Sequence, residues 1–307
     1  MVHADLVRAG LKRILPLDPP DLLVVQGDTS SALGGALAAR ETGIALAHVE
    51  AGLRTHDPNM PWPEEANRVT IDRLADLLFA PTPGNAGNLR RDRVGGQVQV
   101  TGNSGIDALA ELVGTLPAKP RRRWWPRRGF KLLVTCHRRE NWGAGLESLA
   151  EALIGLGAAG IASDVLLPPN AKVTERFGNL LGGRSFVRLV PPLSHAATIQ
   201  AMRDADLVLS DSGGMQEEAP ALGVPLLILR EKTERPEALA TGSAELVGTD
   251  RDRIVARVRE LRRSRAALNA MRLPSMPFGD GQAAPRIAQS CLKFLEERAA
   301  IDESGLA

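Results

Sequence analysis

The chain has 307 residues, 44% of them hydrophobic and 24% charged, with a formal net charge of +2. This length exceeds one ordinary core and predicts two domains, and the near-neutral charge gives no indication of a nucleic-acid partner. No apolar run reaches about 18 residues, which excludes a membrane span, and two distant cysteines, Cys136 and Cys291, favour a reducing cytoplasm over a disulfide framework.

The first half of the chain alternates short apolar runs with helical patterns, as expected for βαβ units in a parallel sheet. Its first 25 residues read as the end of a helix that leads into a strand. Strands are predicted at Leu22–Gln26, Ala45–Val49, Leu77–Ala80 and Val98–Thr101. The helices after them are predicted to begin near Ser31, Glu64, Pro83 and Ser104.

Residues 116–130 contain prolines and no periodicity, which predicts a linker. Their basic run, RRRWWPRR, has two interpretations: a nucleic-acid or membrane contact, or a solvated connector. The connector is favoured because no wider basic face accompanies the run.

The second half repeats the alternation. Strands are predicted at Lys131–Thr135, Asp164–Leu167, Phe186–Leu189, Leu207–Ser210, Leu226–Leu229 and Glu245–Val247. Two amphipathic helices, near Asp250–Ala270 and Gly281–Arg298, are predicted to close the chain. We therefore predict an α/β protein with two doubly wound, Rossmann-like domains, residues 1–115 and 131–307, with a ligand in the cleft between them.

Two acidic residues follow predicted strands of the first half. Asp28 lies in the turn after the first strand, where it is either a functional carboxylate or the N-cap of the next helix; Ser30 is the alternative cap. Glu50, in HVEAGLR, follows an apolar strand, where burying a carboxylate is unfavourable unless it is paired or used. Arg54 is a possible ion-pair partner for Glu50.

A third acidic candidate opens a helix. In PWPEEANR, Glu64 and Glu65 occupy the positive end of the helix that Pro63 introduces. Helix-dipole stabilisation accounts for one of these two carboxylates, which leaves the other for function.

Basic and glycine-rich motifs follow strands of the second half. His137 and Arg138, in TCHRREN, are candidates for an acid, a base or a phosphate ligand. Ser212, Gly213 and Gly214 open a helix, where backbone N–H groups can hold a phosphate.

Three acidic or basic side chains extend this pattern. Glu217 and Glu218 come one turn later, at a spacing that suits ribose hydroxyls, and Arg235 follows the next strand. Carboxylates in one half and a phosphate cradle in the other suit a nucleotide-diphosphate sugar. The sequence has no HxxxH, CxxC or GxGxxG of the kind that metal or nicotinamide sites use, so no metal and no cofactor are expected.

Eight segments, taken together and in order, resemble the bacterial non-hydrolysing UDP-N-acetylglucosamine 2-epimerase family. They are GDT, HVEAGLR, PWPEEANR, TGNSGIDAL, HRREN, DSGGMQEEAP, TERPEA and PFGDGQA, which run from Gln26 to about Ile287. The resemblance implies a fold like that of the B-type glycosyltransferases. It also implies a cytoplasmic, homodimeric isomerase of polysaccharide precursor supply that interconverts UDP-N-acetylglucosamine and UDP-N-acetylmannosamine through 2-acetamidoglucal.

The resemblance also implies roles for single residues. Acid–base catalysis is implied for the three carboxylates, and His137 is implied near the diphosphate. UDP binding is implied for a second set of residues. Arg138 is also expected to bind UDP, because of its position in the TCHRREN loop. The carboxylates are Asp28, Glu50 and Glu64, and the UDP-binding set is Ser212, Gly214, Glu218 and Arg235, with Gly213 expected there from the helix start.

The chain departs from the family pattern at three places. It lacks the family's first strand and GTRPE-type loop, so on the order of 60 residues are expected to be missing and the Leu22–Gln26 strand to be an exposed edge. Pro168 precedes Pro169 and Asn170 where the family usually has a histidine, which argues against activation by a second UDP-sugar. His195 and Thr198 replace a pair of aromatic residues.

Three hypotheses follow for this chain. It is an active epimerase, a truncated and non-catalytic UDP-sugar-binding remnant, or a glycosyltransferase of the same fold. The three carboxylates argue against the glycosyltransferase.

Overall fold

The structure, a computed structural model, describes residues 2–116 and 129–304, and it divides into two compact α/β units. The first unit comprises residues 1–108 and 278–307, and the second comprises residues 109–277. Most of the predicted linker, including its basic run, lies outside the described residues. Within the described ranges, no helix combines the length and the apolar character needed to cross a bilayer.

A parallel sheet of four strands, in the order β1-β2-β3-β4, forms the centre of the first unit. Its strands are β1 (Leu22–Gln26), β2 (Ala45–Val49), β3 (Leu77–Ala80) and β4 (Gln97–Val100). Its helices are α1 (Val2–Ile14), α2 (Ser30–Thr42), α3 (Glu64–Leu74), α4 (Pro83–Arg91), the start of α5 (Ser104–Thr115) and α13 (Ala283–Ser304). As expected, β1 is an edge strand, and its Val24 is half exposed.

Both faces of the first sheet are covered. On one face Val25, Leu46 and Leu78 pack with residues of α2, α3 and α4. On the other face Ala47, Leu77 and Phe79 contact Ile287, Cys291 and Phe294 of α13. The last helix thus belongs to the first compact unit, which differs from the predicted domain of residues 131–307, because its apolar side covers this sheet.

The second unit is built on a six-stranded parallel sheet of order β10-β9-β8-β5-β6-β7. Its strands are β5 (Lys131–Thr135), β6 (Ala162–Leu166), β7 (Val187–Val190), β8 (Leu207–Ser210), β9 (Leu226–Ile228) and β10 (Ala244–Leu246). Its helices are α6 (Ala144–Ala158), α7 (Ala171–Leu181), α8 (His195–Asp204), α9 (Gly213–Leu222), α10 (Pro236–Ala240), α11 (Arg251–Arg263) and α12 (Arg265–Ala270). This strand order is that of a dinucleotide-binding Rossmann sheet, in agreement with the predicted fold class.

The predicted helix from Asp250 to Ala270 is wrong in one respect, because two helices occupy it. Ser264 ends α11 in an extended conformation and also serves as the N-cap of α12. Its hydroxyl accepts a hydrogen bond from the Ala267 backbone N–H at 3.1 Å, which offers the backbone an alternative to a continuous helix.

Candidate functional site

The second sheet has a topological switch point between its two central strands. From β5 the chain proceeds outward in one direction through β6 and β7, and from β8 it proceeds in the other. Ligands of such sheets bind in the crevice outside the carboxyl ends of the strands at this point. The loop after β5 carries His137 and Arg138, and the loop after β8 carries residues 211–214. β5 pairs with β8, and the hydroxyl groups of Thr135 and Ser210, which are 75 residues apart in sequence, lie in contact at the ends of these strands. The structure therefore brings the two loops together.

Asp211 connects these two loops. Its carboxylate is fully buried and accepts hydrogen bonds from the backbone N–H groups of His137 (2.9 Å) and Arg138 (2.8 Å) and from the Asn141 amide (2.9 Å). The His137 ring lies with Nδ1 3.2 Å from the same carboxylate, and 45% of its side chain remains exposed. Asp211 therefore fixes the loop that presents His137. Asp211 is not among the predicted site residues, although its position directly after a buried strand was an available signal.

The N-terminus of α9 is open to a ligand. Ser212 is its N-cap, but the Ser212 side chain makes no capping hydrogen bond within the described residues. Its own N–H donates to Ser210 Oγ at 2.9 Å. The first N–H groups of a helix have no partner inside the helix, and the helix dipole adds partial positive charge there. The Gly213 and Gly214 N–H groups are thus available to an anion.

Two guanidinium groups lie against this first turn. A Cβ added to Gly213 would lie 2.8 Å from Arg235 Nη1 and 3.2 Å from Arg138 Nη2, so only glycine leaves room for both. Glu217 fixes Arg235, because its Oε1 accepts a hydrogen bond from Arg235 Nε at 2.6 Å. Arg138 keeps a buried Nε for which no hydrogen-bond partner exists among the described residues. Two cations and a helix N-terminus form a site for a strongly charged anion.

The two adjacent glutamates of α9 differ in their contacts. Glu217 binds Arg235, so the expectation that it contacts ribose beside Glu218 is not supported by its position. Glu218 lies 2.6 Å from Nε2 of His195. Burial raises the pKa of Glu218 above its ordinary value, and the contact with His195 offsets only part of that effect.

A cavity of about 520 Å³ adjoins the anion site. Its lining includes His137 and Ser212 of the two loops and the apolar side chains of Trp142, Pro168 and Leu193. A cavity with both polar and apolar lining suits a phosphorylated ligand with a flat organic group.

Cys136 also lines this cavity. Burial and the nearby Asp211 carboxylate raise the pKa of the Cys136 thiol well above its ordinary value. A neutral, buried thiol is a poor nucleophile, so this environment does not favour covalent catalysis by Cys136.

In the first unit, Asp28 is paired with Arg68. Its carboxylate accepts from Arg68 Nε at 3.1 Å and also contacts Nη2 of the same group. Neither Asp28 nor Ser30 caps α2, because the Thr29 side chain accepts from the Ala32 N–H at 3.2 Å. Asp28 is therefore held by α3 at the carboxyl end of β1, partly exposed.

Glu50 lies beside the same turn. It has a positive φ of 70°, and its Oε2 would be 3.3 Å from a Cβ added at Gly27. Arg54, its predicted alternative partner, makes ion pairs with Asp72 (2.7 Å) and Asp92 (2.8 Å). The structure thus brings the carboxylate of Glu50 next to the residue that precedes Asp28.

The two glutamates at the start of α3 are clearly distinguished. Glu65 is buried and accepts from the backbone N–H groups of Thr55 and His56 and from Arg68 Nη1, so it anchors the preceding loop. Glu64 keeps a buried Oε2 that has no hydrogen-bond partner among the described residues. Of the two, Glu64 is therefore the carboxylate that is left for a ligand.

A buried network supports this turn from below. His48 contacts Asp72 Oδ1 through Nδ1 at 2.7 Å and the Gly27 carbonyl through Nε2 at 2.9 Å. Burial favours a raised pKa for Asp72, but His48 and Arg54 outweigh it, and the pKa of Asp72 lies below its ordinary value. His48 and Asp72 are not among the predicted site residues, because they lie in different elements and only the fold brings them together.

Comparisons with known proteins agree with this geometry. The sequence profile described as UDP-N-acetylglucosamine 2-epimerase matches residues 4–292. The UDP-N-acetylglucosamine 2-epimerase of Salmonella typhimurium is 41% identical over 296 residues, which cover 93% of this chain and 79% of the relative. Such relatives are isomerases.

Solved structures give the same result. The crystal structure of UDP-GlcNAc 2-epimerase from Neisseria meningitidis bound to UDP-GlcNAc superposes with a TM-score of 0.89 at 34% identity, and covers 94% of this chain and 81% of that one. The Methanocaldococcus jannaschii enzyme in complex with UDP-GlcNAc and UDP gives 0.83 at 32% identity, with coverages of 94% and 80%.

Proposed function

We propose that this chain, which belongs to the UDP-N-acetylglucosamine 2-epimerase family, interconverts UDP-N-acetylglucosamine and UDP-N-acetylmannosamine. One observation carries the proposal: the uncapped start of α9, with Arg138 and Arg235 against Gly213, adjoins a cavity with apolar walls. The anion site accepts the diphosphate, and the cavity accepts the nucleoside. The names of the relatives supply the reaction.

The proposed mechanism is an elimination followed by an addition. The bond between C1 and the diphosphate oxygen breaks with its electron pair leaving on UDP, while a base takes the C2 proton, which gives 2-acetamidoglucal. UDP then adds back to C1 after C2 receives a proton on the opposite face. Because the C2 proton is not acidic, stabilisation of the departing diphosphate must supply much of the rate enhancement.

The residues of the second unit suit this demand. Arg138, Arg235 and the N–H groups of Gly213 and Gly214 bind the diphosphate as its charge develops. The exposed ring of His137, held by Asp211, can donate a proton to the departing oxygen.

Inversion at C2 requires a proton acceptor on one face and a donor on the other. We assign these tasks to Asp28, Glu50 and Glu64 of the first unit. Support comes from the partial exposure of Asp28, the position of Glu50 at Gly27 and the Oε2 of Glu64, which has no hydrogen-bond partner in the described parts of the chain.

The purified chain, incubated with UDP-N-acetylglucosamine in D2O, tests this function. We expect proton NMR to show deuterium entering at C2 together with a growing UDP-N-acetylmannosamine signal. Binding of UDP without hydrogen exchange at C2 would mean that the chain is a UDP-sugar-binding protein without epimerase activity. Transfer of the sugar to an added acceptor, without exchange at C2, would replace the proposal by a glycosyltransferase.

Uridine, which carries the ribose hydroxyls and no titrating phosphate, is expected to release a proton on binding when measured at about pH 5. The pKa of Glu218 is raised above 4.5, so the free protein keeps part of this carboxyl protonated at this pH. Ribose hydroxyls donate to the ionised form and therefore favour loss of the proton. Uridine affinity should thus rise with pH from 4.5 towards the raised pKa of Glu218.

Calorimetry in two buffers of different ionisation enthalpy measures this proton. Glu218→Gln should remove the release, whereas Glu147→Gln, at an exposed position of α6 in the same unit, should keep it. Proton uptake, or release that persists in Glu218→Gln, would contradict the assignment of Glu218 to ribose.

A further inference from the structure

Glu234 is an acidic residue within the basic anion site. It lies in the loop between β9 and α10, its side chain is fully buried, and three arginines surround its carboxylate. Oε2 accepts from Arg230 Nη1 at 2.8 Å. Oε1 contacts Nη1 of Arg235 and lies 3.9 Å from Nη2 of Arg138.

Two of these arginines are the ones that lie against Gly213. The Nη1 atom of Arg235 that contacts Glu234 is the atom closest to an added Gly213 Cβ, at 2.8 Å. The Nη2 atom of Arg138 is likewise the one near Gly213. One carboxylate oxygen therefore faces both guanidinium groups of the anion site.

The third arginine fixes Glu234 from its other side. Arg230 is fully buried and donates from Nε to Glu140 Oε1 at 2.8 Å as well as to Glu234. Glu140 belongs to the short 3-10 turn Arg139–Asn141, whose Asn141 is held by Asp211. The line of contacts from Glu140 through Arg230 to Glu234 leaves the Glu234 carboxylate little freedom.

Charge and orientation have opposite effects on a ligand here. A carboxylate this close to a bound diphosphate repels it, so charge alone would make Glu234 unfavourable for binding. Arginine side chains, however, lose much rotamer freedom when a ligand fixes them, and holding them in place beforehand removes that loss from binding.

We infer that Glu234 is a positioning residue that holds the guanidinium groups of Arg138 and Arg235 against the first turn of α9 in the arrangement that a diphosphate requires. This inference rests on the proposed function, because it concerns the same anion site. Glu234 does not touch the ligand and acts through the two arginines.

The direction in which Glu234→Gln changes the affinity for a diphosphate tests the inference. This variant removes a negative charge and keeps the shape of the side chain. We expect it to weaken the binding of UDP and of inorganic pyrophosphate by about tenfold, since hydrogen bonds to charged groups carry that order of free energy. Calorimetry provides both dissociation constants. Uridine, which lacks the diphosphate, should bind as before, whereas a general structural defect would weaken uridine too.

Asp164→Asn is the matched control, because Asp164 is a buried carboxylate that accepts from Arg188 Nε at 2.9 Å in the same unit. We expect UDP affinity in this variant to stay within about threefold of the wild type, since Asp164 lies within β6, outside the loops that carry Arg138 and Arg235. Tighter or unchanged pyrophosphate binding in Glu234→Gln would overturn the inference.

Glu234→Asp covers the case in which the glutamine variant does not fold. It keeps the charge and shortens the reach by one methylene, so weaker pyrophosphate binding supports positioning and unchanged binding overturns it. If the wild type binds neither UDP nor pyrophosphate, the proposed function itself fails. If the wild type binds both and a Glu234 variant binds them equally well, only the inference about Glu234 fails.

Discussion

Gly213→Ala should bind UDP about 100-fold more weakly than the wild type while the protein stays folded. The new Cβ would lie 2.8 Å from Arg235 Nη1 and 3.1 Å from its Cζ, closer than nonbonded atoms tolerate, and 3.2 Å from Arg138 Nη2. Arg235 is tied to Glu217 and Glu234, so its guanidinium can move away only by breaking these ion pairs, and Arg138 must give by a few tenths of an ångström. Charge-assisted hydrogen bonds contribute about 1.5–3 kcal/mol each, so an affinity loss of about 100-fold, or about 2.7 kcal/mol, corresponds to losing one or two of them.

Titration calorimetry with UDP measures the affinity, and chemical denaturation measures the free energy of unfolding. Gly178→Ala in α7 is the matched control, because a Cβ there meets nothing within 4 Å. This control should keep the wild-type affinity and gain up to about 1 kcal/mol of stability from helix propensity. Wild-type affinity in Gly213→Ala would show that the diphosphate does not bind at the first turn of α9.

Asp211→Ala is expected to lower both stability and UDP affinity strongly. The buried carboxylate accepts from the His137 and Arg138 N–H groups and from Asn141, and alanine leaves these donors without an acceptor. We expect a loss of about 3–5 kcal/mol of unfolding free energy. The loop that carries His137 and Arg138 also loses its anchor, so affinity should fall by about 100-fold in the molecules that remain folded.

Asp206→Ala separates the two effects. Asp206 precedes β8 and accepts from the Lys131 N–H at 3.0 Å and from Arg272 at 2.9 Å, so it links the same two strands at their opposite ends. This variant should lose stability and keep UDP affinity. Equal affinity losses in both variants would mean that Asp211 acts through the stability of the sheet and has no specific role at the loop.

Most strands could be predicted from the sequence, because apolar runs bounded by turns are a local signal. β1, β2, β3, β5 and β8 have the predicted bounds, and the others differ by one or two residues. The break at Ser264 and the contact of α13 with the first sheet could not be predicted in this way. The contact of α13 depends on which partner the helix finds in three dimensions, whereas the break at Ser264 depends on a local competition between a serine cap and a continuous helix.

The candidate site was predictable to the level of its loops. The carboxyl-end position of His137 and Gly213 follows from strand-to-loop order alone. The different contacts of neighbouring glutamates do not follow from this order. Glu65 anchors a loop, whereas Glu64 keeps an oxygen without a hydrogen-bond partner among the described residues. Glu217 binds Arg235, whereas Glu218 contacts His195. The partner that decides each case lies far away in the sequence.

The backbone of Glu50 has a consequence for how such a chain evolves. At φ 70° a residue with a Cβ is held in the left-handed region, which costs about 1–2 kcal/mol, whereas glycine adopts that conformation readily. Glutamate at this position thus lowers the stability of the folded protein and supplies a carboxylate. In a lineage released from selection for the reaction, glycine should be favoured there on stability grounds, so position 50 should be among the first of the acidic positions to change.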